Sequence, residues 1–291
     1  MARASTESDW PYRWDLLLRY RLIEIIALWE GRLTTNALIK AFGIGRQQAS
    51  KDINTYIRDI GPDNLDYDKQ LKGYKPTEKF KPQLTQGSVD EYLHLLNSRR
   101  DLVSHFTFLD ICQANTEVIH APNRSVQAKF IRPIIKAARE QKRTEIQYAS
   151  LNSAESEYRV ITPHTLVYSG YRWHVRAHCE KNGDYRDFVL SRIKDIPDPV
   201  MSSENGAEND IAWNTVISLS IIPDPRLEDF QQQIIADDYG MNNRRLLIET
   251  RAALATYYLQ FLRIDNKETL PVPKQQQLVL ENREEIKDWL F

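Results

Sequence analysis

The period of the apolar positions changes along the chain and marks out its parts. From Trp14 to Glu30, residues Leu17, Leu18, Leu22, Ile25, Ile26 and Trp29 recur at helical spacing. The pattern predicts a helix that stops at Gly31. Thr34 is placed to cap a second helix through Phe42, with Leu38 and Ala41 inward. Gly43-Ile44-Gly45 then makes a tight turn. A third helix is expected from Arg46 to Ile60, packing through Ala49, Ile53, Tyr56 and Ile57 and halted by Gly61-Pro62. Two short runs, Leu65 to Tyr67 and Gly73 to Lys75, suit a hairpin. Three helices with a glycine turn, then a hairpin, read as a winged helix-turn-helix.

A polar link begins between Pro76 and Pro82. Ser88 can cap a helix through about Leu102, carrying Tyr92, Leu93, Leu95 and Leu96. Thr107 to Glu117 fits strand or buried turn equally. Val126 to Glu140 reads as helix, with Phe130, Ile131, Ile134, Ile135 and Ala138 inward, although Pro133 interrupts it.

Beyond Lys142 the period drops to two. Arg143–Ala149, Glu157–Ile161, Thr165–Ser169, Arg172–Cys179 and Asp187–Ile193 read as five strands. Asn152-Ser153, Pro163 and Ser169-Gly170 mark breaks, and Asn182-Gly183 suits a tight hairpin. Short antiparallel strands of this kind close readily into a small barrel. Met201 to Asp210 is a Ser/Glu/Asn/Gly segment with the composition of a mobile linker. After it, strands at Thr215–Ile221, Arg245–Glu249 and Gln276–Leu280 alternate with helices at Leu227–Tyr239, Ala252–Ile264 and Arg283–Leu290. Phe230, Ile234 and Ile235 are the expected anchors of the first of these helices. Mixed elements in this order suggest a small α+β domain.

The chain has 291 residues and a formal net charge of −1, which alone argues weakly against a nucleic-acid partner. The charge is uneven. Residues 1–82 carry 14 basic and 11 acidic groups, whereas residues 196–291 carry 9 basic and 16 acidic groups. A basic face can therefore sit at the amino-terminal end. Cys112 and Cys179 have no zinc or disulfide spacing. No apolar run has transmembrane length and the first residues lack a signal-peptide core, so the cytoplasm is the expected location.

On the third helix the outward residues are Arg46, Gln47, Gln48, Ser50, Lys51, Asn54 and Thr55. Arg pairs bidentately with guanine, and Gln or Asn with adenine; Lys and Ser suit phosphates. Lys69 and Lys72 add cations at the hairpin. The competing reading of this face is a solvated docking surface. Catalysis is poorly supported. His164, His174 and His178 have no metal spacing, and there is no phosphate-binding glycine loop. No catalytic residue, metal or cofactor is expected.

In the barrel stretch, Arg159, Arg172, Arg176, Arg186 and Arg192 lie among Tyr148, Tyr158, Tyr168, Tyr171 and Tyr185. Guanidinium forks and tyrosines suit an anionic ligand, or form an ordinary solvated face. Tyr171-Arg-Trp-His-Val-Arg-Ala177 and Gly183-Asp-Tyr-Arg-Asp-Phe-Val-Leu-Ser-Arg-Ile193, with Pro163, Tyr168 and Gly170, resemble the core of a WYL domain. This chain has Trp173-His174-Val175 where that family has Trp-Tyr-Leu. The whole is similar to the WYL repressors of bacterial phage-defence operons, called BrxR or CapW. The resemblance implies an Sm-like ligand-sensing barrel behind a DNA reader, with a carboxyl-terminal dimerisation region. It implies effector contacts at Tyr148, Ser150, His164, Tyr168, Arg172, Arg186 and Arg192.

The expected architecture is multidomain α+β. A winged helix-turn-helix spans 1–82, a helical connector 83–125, a WYL barrel 126–200 and an α+β dimerisation domain 211–291. The expected function is a homodimeric repressor on an inverted repeat of duplex DNA, modulated by an anionic effector such as a nucleotide or nucleic acid. An activator of DNA-damage genes and a nucleic-acid-binding accessory protein of a defence complex are the alternatives. Membrane association is not expected.

Overall fold

The computed structural model describes residues 12–89, 91–95, 124, 126–195, 198–264 and 270–290. The chain divides into two compact units, 1–120 and 121–291, each described by itself. The expectation for Thr107 to Glu117, and most of the helix foreseen from Ser88, lie outside the described residues.

In the first unit, helix α1 spans Trp14–Glu30, α2 Thr35–Phe42 and α3 Arg46–Asp59. Gly31 and Gly43 end the first two in the left-handed conformation, at φ +67° and +63°, which only glycine adopts without a steric cost. Thr34 occupies the N-cap of α2, but its side chain makes no capping bond. Strands β1 (Leu65–Asp68) and β2 (Gly73–Pro76) form the hairpin. A bridge from Tyr74 to Leu33 anchors it between α1 and α2.

The core joins Leu22, Ile23 and Ile26 of α1 to Leu38, Ala49, Ile53 and Tyr56. Helix α1 is buried on more than one side, because Phe80, Leu84, Tyr92 and Leu95 also pack on this core. The link after the hairpin therefore belongs to the packing of the first unit. Leu18 and Trp29, expected inward, are exposed; Trp29 stacks on Tyr92 at 6.3 Å.

The second unit opens with α4 (Ala128–Glu140), whose buried side is Ile134 and Ala137 with Phe130 and Ile131 beside them. Phe130, Ile131 and Ile134 face inward as expected, whereas Ile135 is exposed and Ala137 is buried in place of Ala138. Pro133 lies inside this helix. Strands β3 (Lys142–Tyr148), β4 (Glu157–Tyr168), β5 (Trp173–Cys179), β6 (Asp184–Val189) and β7 (Asp198–Ser202) form an antiparallel sheet in the order β6-β5-β4-β3-β7. A bridge from Tyr148 to Ile193 brings the far end of the sheet back to β3 and closes the barrel.

Three local readings change. The two strands expected on either side of Pro163 are one strand, with the register shift of a bulge between Pro163 and Thr165. Asn182-Gly183 is not a two-residue turn; only Gly183 is left-handed, and four residues connect β5 to β6. Ser169 N–H instead bonds the Arg172 carbonyl across a two-residue turn, Gly170-Tyr171, with Gly170 at φ +77°. A β-carbon at Gly170 would also meet the Phe261 ring at 3.0 Å.

The segment expected as a mobile linker is ordered. Met201 and Ser202 pair with Arg143 and Lys142. Polar composition reported solvent exposure, which an edge strand tolerates, because its ladder bonds come from the backbone. The rest of the unit contains a one-turn helix α5 (Ile211–Asn214), β8 (Val216–Pro223), α6 (Asp229–Asp238), β9 (Leu246–Arg251), α7 (Ala255–Phe261) and β10 (Leu278–Leu280), then the single turn α8 (Arg283–Ile286). Its sheet has the order β10-β8-β9 over a core of Leu219, Ile221, Ile235, Leu259 and Leu278. Helix α6 anchors through Ile235 and Ala236; Phe230 and Ile234 point outward, contrary to the sequence expectation.

Candidate nucleic-acid interface and effector site

Ala49, Ile53 and Tyr56 fix the inward side of α3, so the opposite side must face solvent. Arg46, Gln47, Gln48, Lys51 and Asn54 are exposed there, with Ser50 and Thr55 half-buried. They are not equally available. Gln48 donates to the buried Asp52 carboxylate at 2.7 Å, and Asp52 also faces Arg19 at 3.3 Å. Asn54 accepts a long bond, 3.5 Å, from the Tyr74 hydroxyl of the hairpin.

Arg46, Gln47 and Ser50 open onto a cleft of about 980 Å³ that Lys72 and Tyr74 line from the hairpin side. Arg32, Thr35, Asn36 and Lys40 complete its wall. Sequence reasoning missed Arg32 and Lys40. Arg32 follows the glycine that ends α1, a position where a cation is easily read as a solvated turn residue. Its Nε donates to the Leu71 carbonyl at 2.7 Å and ties down the hairpin loop. Lys69 is exposed in that loop, and Lys72 holds a left-handed backbone at φ +49°.

In the second unit, β5 has two unlike faces. Val175, Ala177 and Cys179 join the apolar core under α4. His174, Arg176 and His178 alternate with them on the other face, where Arg176 and His178 meet polar partners. Arg176 forks onto Asp210 at 2.5 and 3.0 Å and reaches Asp187 at 3.4 Å. Asp187 accepts from the Tyr257 hydroxyl of α7 at 2.9 Å. His164 Nε2 lies 3.1 Å from Asp210, and Asn205 contacts His178 at 3.2 Å. Asp210 also accepts from Trp213 N–H and so caps α5.

Burial works against the Asp210 carboxylate, but its bonds from Arg176 and Trp213 hold it below the usual range. Burial raises Asp187 and lowers His164, the latter against the pull of Asp210. Asp210 sat inside the supposed linker. An Asp three residues before a tryptophan N–H is an N-cap signal that could have found it.

The seven residues expected around the effector do not form one group. Tyr148 is a core side chain whose hydroxyl accepts from Val189 N–H at 3.1 Å. Ser150 accepts from Asn152 N–H in the following turn. His164 belongs to the Asp210 network. Tyr168 is exposed, bonds the Gly170 carbonyl at 3.0 Å and lies against Trp173. Arg186 pairs with Ala177 and alternates with Asp187, so it is on the opposite side of the sheet from Arg176. Arg172 and Arg192, with Arg124, are the cations whose fields reach His174. Of these, Arg124 lines a cavity of about 570 Å³, together with Gln127, Lys129, Phe130, Ser191, Ile193 and Lys194. Among the described residues no cluster of His, Cys, Asp or Glu is placed to hold a metal ion.

A helix-turn-helix with its polar face outward, a small closed barrel and a further α+β domain together define a WYL-domain transcriptional regulator. The family models agree: a BrxR transcriptional regulator winged helix-turn-helix domain over 15–98, a WYL domain over 129–197 and a BrxR C-terminal dimerization domain over 216–286. The chain belongs to the family of the CapW proteins. It is 34% identical to the DNA-binding transcriptional repressor CapW of Escherichia coli, over 94% of this chain and 91% of that one. It is 34% identical to the CapW repressor of Pseudomonas aeruginosa, over 95% and 92%. For that of Stenotrophomonas maltophilia the identity is 31%, over 96% and 93%. Among solved structures, proteasome accessory factor B/C of Arthrobacter aurescens aligns over 94% of this chain and 47% of its own, at 16% identity and a TM-score of 0.25. The family assignment rests on the sequence relatives.

Proposed function

We propose that this protein is a sequence-specific DNA-binding transcriptional repressor that acts as a homodimer. The observation that carries this is the outward polar face of α3, set beside a hairpin across a cation-lined cleft. Arg46, Gln47 and Asn54 read base edges, and Lys51, Ser50, Thr55, Lys69 and Lys72 hold phosphates. Arg32 and Lys40 extend the phosphate track. Gln48 contributes less, because its amide is already engaged by Asp52. The BrxR-type dimerisation domain pairs two readers, and a two-fold dimer matches an inverted repeat. A regulator of this kind performs no chemistry.

The second unit senses an anion, and its occupancy changes DNA affinity. Support comes from the basic cavity at the start of α4 and, outside its lining, from Arg172 and Arg192, whose fields reach His174 together with that of Arg124. A nucleotide or a nucleic-acid end has the required charge. The resemblance to BrxR and CapW implies a phage-defence operon as the target. Occupancy affects transcription only if the anion binds the DNA-competent and incompetent states unequally.

Footprinting on the protein's own upstream region tests the reading. Protection of an inverted repeat is expected, lost in Arg46→Ala and weakened evenly across sequences in Lys51→Ala. Equal affinity for all duplexes, or unchanged protection in both variants, overturns it.

A further inference from the structure

His174 occupies the middle position of the WYL triplet, where the family's tyrosine would stand. Its side chain is 2% exposed, and its Nδ1 has no hydrogen-bond partner. A buried polar atom left unpaired costs roughly 1–3 kcal/mol, so something must make the arrangement worth keeping. We infer that His174 takes up a proton when an anion settles on Arg124, Arg172 and Arg192, so that anion binding is coupled to pH. This inference rests on the effector reading above and says how that site is regulated.

The surroundings of the ring support it. Arg172 precedes β5, Arg192 sits in the turn after β6, and Arg124 precedes α4. From α7, the Tyr257 ring lies 5.0 Å away at 42°. The carboxylate behind it, Asp187, is already engaged by Tyr257 and Arg176. Val167 and Val189, the strand partners of His174, carry no charge. The ring thus faces cations and one neutral aromatic. Burial, then the fields of Arg172, Arg192 and Arg124, push the imidazole down from 6.5 to about 4.

An anion on those guanidiniums cancels their field. The imidazole then takes a proton from solvent and becomes a further cation at the site. Charged, it also gains a cation–π contact with Tyr257 of the dimerisation domain, so that domain feels the occupancy. Affinity must rise as pH falls, because the bound state holds the extra proton. Burial, the larger cause, persists when the field is cancelled, so the imidazole recovers part of the way and the gain between pH 8 and pH 5 stays below the roughly 30-fold of full recovery.

The test uses full-length protein and two probes whose charge is constant from pH 5 to 8. One is inorganic sulfate; the other is a six-nucleotide oligothymidylate without terminal phosphates. The oligonucleotide arm carries Arg46→Ala and Lys51→Ala to silence the reader. Calorimetry should show affinity rising severalfold from pH 8 to pH 5, with proton uptake, and His174→Phe should flatten the profile. Should that variant fold poorly, the NMR titration of the His174 ring with and without probe gives the same answer in the unmodified protein. Preference for sulfate points to a small free anion, and preference for the oligonucleotide to a nucleic-acid end. A pH-independent affinity, or an unmoved His174 titration, overturns the proton coupling and leaves the anion site standing. Failure of both probes to bind, or binding that ignores Arg172→Gln with Arg192→Gln, removes the anion site and the inference together.

Discussion

The two units each bury a carboxylate, and they satisfy it in opposite ways. In the reader, Glu24 of α1 is fully buried. It accepts from the N–H groups of Gln83, Leu84 and Thr85, the Thr85 hydroxyl and the Tyr56 hydroxyl of α3, at 2.9–3.0 Å. Every donor is neutral. In the sensor, Asp210 is buried against Arg176 and His164, groups that are charged or can become so. The Glu24 cluster is a clamp holding the chain after the hairpin to α1 and α3. The donors to Glu24 carry no charge, whereas the partners of Asp210 include a guanidinium and an imidazole.

Removing the two carboxylates is the largest test of that contrast. Asp210→Ala leaves Arg176 buried beside Asp187 alone and should cost about 3–5 kcal/mol in the second unit. Denaturant unfolding followed by Trp213 fluorescence reads it. Glu24→Gln keeps the shape but presents an amide N–H₂ to N–H donors. It should cost about 3 kcal/mol in the reader, read from Trp29, with DNA affinity falling because Tyr56 of α3 is released. Comparable losses in both units from either variant would mean that the sites are not separate.

The same contrast explains what could be read from sequence. The reader's helices and hairpin were legible because their signals are local: amphipathic phase, Gly31 and Gly43 as stops, and a short strand pair around a turn. Even there Glu24 gave no sign, since its partners lie about 60 residues away. In the sensor the alternation exposed the strands, but alternation assumes one apolar face and one solvated face. On β5 the second face is polar and buried. Arg176 therefore looked like the other arginines of the stretch, and its partner Asp210 looked like linker. The effector residues implied by the family resemblance scattered for a related reason. Arg186 lies on the opposite side of the sheet from Arg176, whereas Arg172 precedes β5.

Acid separates the units next. A histidine whose folded value is depressed binds fewer protons than its unfolded form, so stability falls as pH drops below 6.5 and continues to fall towards the folded value of about 4. For His174 the loss between pH 7.5 and pH 5 is about 2 kcal/mol, and His164 adds to it in the same direction. The reader has no buried histidine among its described residues. Thermal melts should therefore show the sensor transition moving down between pH 7.5 and pH 5 while the reader transition stays. His174→Tyr, the family's residue, should remove most of the movement; equal movement in both units would break the contrast.

The smallest effect concerns strain. Lys72 holds φ +49° in the hairpin loop, and Gln141 holds φ +53° at the end of α4. Each conformation costs an L-residue about 1 kcal/mol that glycine avoids. Gln141 has a structural return, since its side chain donates to Glu208 at 2.5 Å. Lys72 lines the cleft beside Arg46 and Gln47, where the return we propose is a phosphate. Lys72→Gly should therefore stabilise the reader by up to about 1 kcal/mol while lowering the salt dependence of DNA binding by about one phosphate contact. Gln141→Gly should gain less, because the bond to Glu208 is lost with the side chain. A Lys72→Gly protein with full salt dependence would mean that the hairpin lysine is held in its strained form for a reason other than DNA.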